Sequence, residues 1–296
     1  MLRHRGFPTL APAWPPPPKQ RPLPDRRSGQ PGKEGIHSVR IRAQDRKRIT
    51  HGPPQGRRLY AVDGTKVNLP REPVERGYPL PQPGAHYPQG LLSCLYRLND
   101  RMPVDFDLAA HGDERRMAAA HLPHVRSGDV VVYDRGYYSF GLLDAHVRRG
   151  VDCVFRLPRS SARAFGRLAE SGEAERLVQV LPGRGAGRRW QRAHPGETPL
   201  PVTVRCVRIA TAGGDFLLAT TLTDGNRFPL SALGEAYHGR RGIEELCRVS
   251  KGPVAVEQFH ARTEGGVRRE PSAHFTMVAL TRSLGNPVEE AVGNCI

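Results

Sequence analysis

The residues best suited to chemistry are three acids in unlike surroundings: Asp63 in YAVDGT, Asp134 in YDRGYYS and Glu244 in YHGRRGIEELCRVSK. Read as a helix, the last stretch places Tyr237, Arg240, Glu244, Arg248 and Lys251 within an arc of roughly 80°, since each residue advances about 100°. Glu245 falls off that stripe, and Ile243 and Leu246 point to the other side, where a core would lie. One carboxylate framed by a phenol, two guanidiniums and an ammonium suits a metal ligand set among phosphate contacts. The plainer reading is a solvated helix face, in which Glu and Arg support each other one turn apart. Carboxylates from three separate elements are the minimum for holding two Mg²⁺ ions around a phosphodiester. Glu245 and Glu114 are the competing choices for the third acid.

Each acid needs an element to hold it. Leu59–Val62 reads as a short strand running into Asp63, and Asp129–Tyr133 as a strand ending at Asp134. Leu91–Leu98 and Val104–Leu108 read as a hairpin turning at Asn99–Arg101. Residues 113–122 predict a helix, Ser139 caps another over 140–149, and Asp152–Leu157 is the next strand. Strands alternating with helices give an α/β core, where sites form at the carboxyl ends of strands. Between 158 and 228 lie short β-prone runs, Leu177–Leu181, Pro201–Ile209 and Asp215–Thr221. A Gly/Arg turn at 182–189 breaks them, and the last two form a hairpin around Ala212–Gly214. Leu230–Ser250 returns to helix, and 273–284 is a final amphipathic helix.

Composition adds a partner. The 296 residues hold 45 Lys and Arg against 29 Asp and Glu, a net charge of +16, which favours a polyanion. Residues 1–58 carry 14 Lys and Arg against 3 Asp and Glu, and four consecutive prolines at 15–18. With no apolar period to bury, this stretch predicts a disordered basic arm, leaving +5 for the rest. Five scattered cysteines without a CxxC pair argue against a structural zinc site and against a disulfide framework. No apolar run predicts a membrane span, and no secretory leader is recognisable.

These three motifs, in this order, resemble the DDE transposases of bacterial insertion sequences, in the branch named after insertion sequence four. Its Y-(2)-R-(3)-E-(6)-K signature is met by Tyr237, Arg240, Glu244 and Lys251. The resemblance covers about 59–285. It implies a ribonuclease H-like fold, a mixed sheet flanked by helices with a β-rich insertion before the last catalytic helix. The divisions would be a core over 59–157, the insertion over 158–228, the catalytic helix and core end over 229–285, and a tail over 286–296. It also implies that Asp63, Asp134 and Glu244 bind two Mg²⁺ ions, with Mn²⁺ as substitute, and cut and join DNA. Arg240 and Lys251 would grip phosphates, Tyr237 would bond a phosphate or stack on a base, and Arg248 and Arg135 would add DNA contacts. His238 and Tyr137 read as structural. The partners would be double-stranded transposon ends and target DNA, held by a homodimer in the bacterial cytoplasm, at the nucleoid.

The chain departs from the family in three ways. Residues 1–58 do not resemble the usual end-binding helical region. Arg241 stands where an aromatic is common. Gly239 and Gly242 each cost a helix about 1 kcal/mol relative to Ala. A truncated remnant is therefore a second expectation. Other readings are a basic nucleic-acid-binding protein without chemistry, and a different ribonuclease H-like nuclease.

Overall fold

The computed structural model describes residues 57–72, 77–110, 112–158, 165, 168, 173–211, 214–251 and 256–293, excepting the side chains of Val249 and of 286–293. Its strands are β1 (Leu59–Asn68), β2 (Gln89–Arg97), β3 (Met102–Ala109), β4 (Val130–Tyr133), β5 (Asp152–Arg156), β6 (Glu175–Val180), β7 (Val202–Ile209) and β8 (Phe216–Thr220). They form one sheet in the order β3-β2-β1-β4-β5-β8-β7-β6. The hairpins β1–β2 and β2–β3 are antiparallel, while β1–β4 and β4–β5 are parallel. This 3-2-1-4-5 arrangement is a mixed sheet, as the resemblance implies. The strands drawn from 158–228 do not stand apart. β8 pairs antiparallel with β5, and β7 and β6 continue the same sheet outward.

Among the described residues, six α-helices accompany the sheet: α1 (Glu114–His121), α2 (Phe140–Arg149), α3 (Arg184–Ala193), α4 (Leu230–Gly239), α5 (Arg241–Lys251) and α6 (Glu264–Gly293). Strand alternation decides which face each covers. Tyr60, Val62, Val131, Tyr133, Cys153 and Phe155 point to a core shared with α1, α2 and Trp190 of α3. Leu59, Ala61, Val130, Val132 and Val154 point to the opposite face, under Leu233 and Ala236 of α4 and Ile243 and Leu246 of α5. Each of the valines, leucines and Phe155 among them contributes roughly 1.5–3 kcal/mol on burial.

Several local expectations change. β1 runs five residues beyond Asp63, because β2 offers an antiparallel partner as far as Asn68. Residues 182–189 are not a turn. From Arg184 they open α3, whose Trp190 is buried and donates from Nε1 to Asp144 Oδ2 at 2.8 Å. That anchor outweighs the propensity cost of Gly185 and Gly187. The helix expected over 230–250 is two helices meeting at Arg240, where the bonds Arg240 N to Tyr237 O and Ile243 N to Arg240 O tighten to i→i+3 at 3.1 Å. The final helix begins at Glu264, well before 273, and runs to Gly293 into the expected tail.

Residues 1–56 of the basic stretch lie outside the described residues. Its last two residues are tied to the sheet. Arg57 pairs with Asp152, and Arg58 N donates to Asp129 Oδ1 at 3.2 Å. Among the described residues no helix is long and apolar enough to cross a membrane.

Candidate active site

Asp63 and Asp134 meet through register. Ala61 of β1 pairs with Val132 of β4, and each aspartate lies two residues further along its strand direction. Parallel neighbours run about 4.8 Å apart, so the two acids leave the sheet side by side. Their parity is that of Ala61 and Val132, which directs both toward α4 and α5. β5 supplies a third strand end. Phe155 pairs with Tyr133, so Arg156 stands beside Asp134.

The junction of α4 and α5 closes over these ends. Tyr237 Oη donates to Asp134 Oδ1 at 3.1 Å. Arg156 Nη1 approaches Tyr237 Oη at 3.4 Å, and its guanidinium lies over the Phe216 ring, 4.9 Å from the centroid. The i→i+3 turn swings Arg240 inward. Its side chain is 10% exposed, forms an ion pair with Glu244 and stands 4.0 Å from Asp134 Oδ2. Glu244 is 51% exposed.

The two aspartates differ electrostatically. Burial pushes the Asp63 carboxyl up to about 6. Arg240 and the Gly64 N–H oppose this, while Glu244 and Glu114 add to it. Burial also acts on Asp134, but the Arg135 N–H, Arg240, the Tyr237 hydroxyl and Arg156 together hold it below the usual carboxylate range. At neutral pH the pocket therefore contains a comfortable carboxylate and an under-compensated one.

The structure thus brings together Asp63, Asp134, Glu244, Tyr237 and Arg240, and separates the other expected contacts from them. Lys251 Nζ donates to the Lys66 carbonyl, and Arg248 and Arg135 lie exposed on the surface. Glu245 is exposed. Sequence reasoning missed Arg156. The rule that places sites at strand carboxyl ends, applied to the third parallel strand as well, points to it. It also left Tyr137 as structural, although that hydroxyl is buried without a hydrogen-bond partner beside Asp63 and Glu114. Next to these residues opens a groove of about 720 Å³, lined by Lys66, Gln89, Leu91, Glu114, Arg115 and Gly136 among others.

A family model described as "Transposase DDE domain" matches residues 54–280 of this chain. The chain belongs to the DDE transposase family. Among the relatives it resembles is the transposase InsG for insertion sequence element IS4 of Escherichia coli (strain K12), 27% identical over 224 residues that make up 69% of this chain and 49% of that protein. Among solved structures, a piggyBac transposase synaptic complex with hairpin DNA aligns with a TM-score of 0.42 at 10% identity, over 77% of this chain and 48% of the other. The chain spans about half the length of these relatives.

Among the described residues, no three His, Cys, Asp or Glu side chains stand close enough together to hold a metal ion; Arg240 pairs with Glu244 and stands 4.0 Å from Asp134 Oδ2. The donor set nevertheless fits a hard divalent cation. It offers carboxylate oxygens, one of them on a buried aspartate short of positive charge.

Proposed function

We propose that this chain cuts and joins DNA as an insertion-sequence transposase, with Asp63, Asp134 and Glu244 as its acids. The observation that carries the reading is the register of Asp63 with Asp134 beneath the α4–α5 junction, which delivers Glu244 to the same face. The three carboxylates would hold divalent cations, Mg²⁺ by preference, with Mn²⁺ as substitute. Bound there, two such ions would activate the attacking oxygen and stabilise the leaving 3′ oxygen.

The chain's own side chains divide the remaining work. Asp134, held ionised by its neighbours, is ready as a ligand at neutral pH. Arg240, released from Glu244, turns its planar fork to a phosphate near the cut. Tyr237 orients Asp134 and has its own hydroxyl fixed by Arg156. Lys251, at the far end of α5, adds a point charge toward the DNA backbone. The partners in this reading are double-stranded transposon ends and target DNA, engaged by a homodimer, and the protein acts at the bacterial nucleoid.

The Arg240–Glu244 ion pair favours a second reading, a DNA-binding protein without chemistry. A supercoiled plasmid carrying the element's ends, incubated with the protein and Mg²⁺, separates the two. The transposase nicks or excises at the ends, and Asp134→Ala abolishes this while DNA affinity survives or rises. Lys251→Ala weakens DNA binding and reduces the salt slope by about one. Binding of the ends without cutting, identical in wild type and Asp134→Ala, supports the binder instead.

A further inference from the structure

Helix α3 holds four arginines and no acid, a charge of +4 where residues 59–296 together carry +5. Arg184, Arg188, Arg189 and Arg192 are all exposed. At about 100° per residue they fall within an arc of roughly 140°, and Trp190 points to the opposite side. Trp190 fixes the orientation. It is 4% exposed, belongs to the core on the α1–α2 face of the sheet, and donates from Nε1 to Asp144 Oδ2. The arginine face is thereby held outward.

Local physics opposes such a helix. Arg184, Arg188 and Arg192 repeat one charge at i, i+4 spacing, which is destabilising, and Arg184 sits in the first turn against the positive end of the dipole. Gly183 supplies no side-chain cap, and Gly185 and Gly187 weaken the helix further. A helix face that is merely solvated alternates its charges, so that neighbours pair. Here the nearby acids are already engaged. Asp144 Oδ2 accepts from Arg148 Nε at 2.8 Å, and Glu197 Oε2 from Arg148 Nη2 at 2.7 Å. Among the described residues no acid pairs with any of the four arginines.

An independent observation concerns Gly185, which lies inside the same arc. A Cβ there would meet nothing within 4 Å, so packing does not require the glycine. Its bare backbone leaves room among the guanidiniums for a ligand to approach the helix closely.

The ligand's chemistry follows from the donors. Planar guanidinium forks without carboxylate partners suit phosphate. From Arg184 to Arg192 the helix rises about 12 Å, and that length of duplex axis presents about seven phosphate charges. The face offers no aromatic platform for single-stranded bases, since Trp190 is buried. Tyr237 and α5 lie across the sheet, so these arginines do not share the phosphates at the acids.

We infer that the arginine face of α3 is a second DNA-binding surface, which holds the phosphate backbone of duplex DNA away from the cut and without regard to sequence. The inference rests on the reading of DNA as substrate and adds a surface that the acids and α5 do not include.

The test titrates the full chain into a fluorescent duplex of unrelated sequence at several salt concentrations, read by anisotropy. The combined variant Arg184→Gln, Arg188→Gln, Arg189→Gln, Arg192→Gln should bind on the order of tenfold more weakly and lose about 3 to 4 from the salt slope, roughly 0.9 for each phosphate contact. A control variant, Arg101→Gln, Arg116→Gln, Arg126→Gln, Arg269→Gln, removes the same charge from exposed positions on other elements and should lose much less. Equal losses in the two variants would mean that net charge alone acts, and overturn the inference. Unchanged duplex binding in the α3 variant also overturns it, and leaves the transposase reading standing. Wild type that binds no duplex overturns both. Weakened binding of polyglutamate with duplex binding intact would assign the face to an acidic protein and overturn it as well. Should the α3 variant fail to fold, phenylglyoxal labelling of wild type decides the matter. Protection of the four arginines by duplex DNA supports the inference, and labelling that DNA does not change overturns it.

Discussion

Arg156 and Asp134 are register neighbours at the ends of β5 and β4, each one residue past the paired Phe155 and Tyr133. The relationship places a guanidinium beside the more acidic of the two aspartates and behind the tyrosine that bonds it. Arg156→Ala therefore lets the Asp134 pKa rise toward the ordinary carboxylate value, because a stabilising cation has gone. End cleavage should fall on the order of tenfold, with Arg156→Lys restoring the pKa but not the stacking on Phe216. Carboxyl carbon titration by NMR checks this, and an Asp134 curve identical in wild type and Arg156→Ala would refute it.

His146 predicts a pH dependence of stability. Burial lowers its pKa to about 4, and both ring nitrogens are occupied, Nδ1 donating to the Val151 carbonyl and Nε2 accepting from Tyr133 Oη. The unfolded chain binds a proton at a higher pH than the folded one. Stability from this group is thus complete above the unfolded value near 6.5 and is lost as pH falls toward 4. The loss is on the order of 3 kcal/mol. Denaturant midpoints for wild type and His146→Gln should converge as pH falls through that window. A constant gap would exclude the mechanism.

Trp190 holds α3 against α2. Trp190→Phe keeps most of the apolar volume but leaves Asp144 Oδ2 without the indole N–H, costing roughly 1–3 kcal/mol. Trp190→Ala costs about 3–5 kcal/mol. Urea unfolding measures both, and a Trp190→Phe midpoint equal to that of wild type would mean that the hydrogen bond contributes nothing.

Residues 1–56 are predicted to add charge and no stability. Their removal, with Arg57 and Arg58 retained, should leave the thermal midpoint nearly unchanged and make non-specific DNA affinity less steeply salt-dependent. Removing Arg57 and Arg58 as well should lower the midpoint, since both are bound to acids at the starts of β4 and β5. Calorimetry on the two truncations distinguishes these outcomes.

The sequence by itself determined the succession of strands along the chain, the cap of α2, and the three motifs. These depend on local signals: apolar alternation, Ser139 at a helix start, and residue spacings that survive any packing. Tertiary structure decided the rest. β1 passes Asp63 because an antiparallel partner extends beyond it, and residues 184–193 become a helix because Trp190 finds Asp144 far away in the chain. No periodicity carries such information. The stripe from Tyr237 to Lys251 was read on one straight helix. The turn at Arg240 breaks it, sends Arg240 inward and leaves Lys251 at Lys66. Arg156 joins Asp134 and Tyr237 only through sheet register. Its neighbours lie far off in sequence, and a one-residue shift between β1 and β4 would have turned Asp63 to the other face.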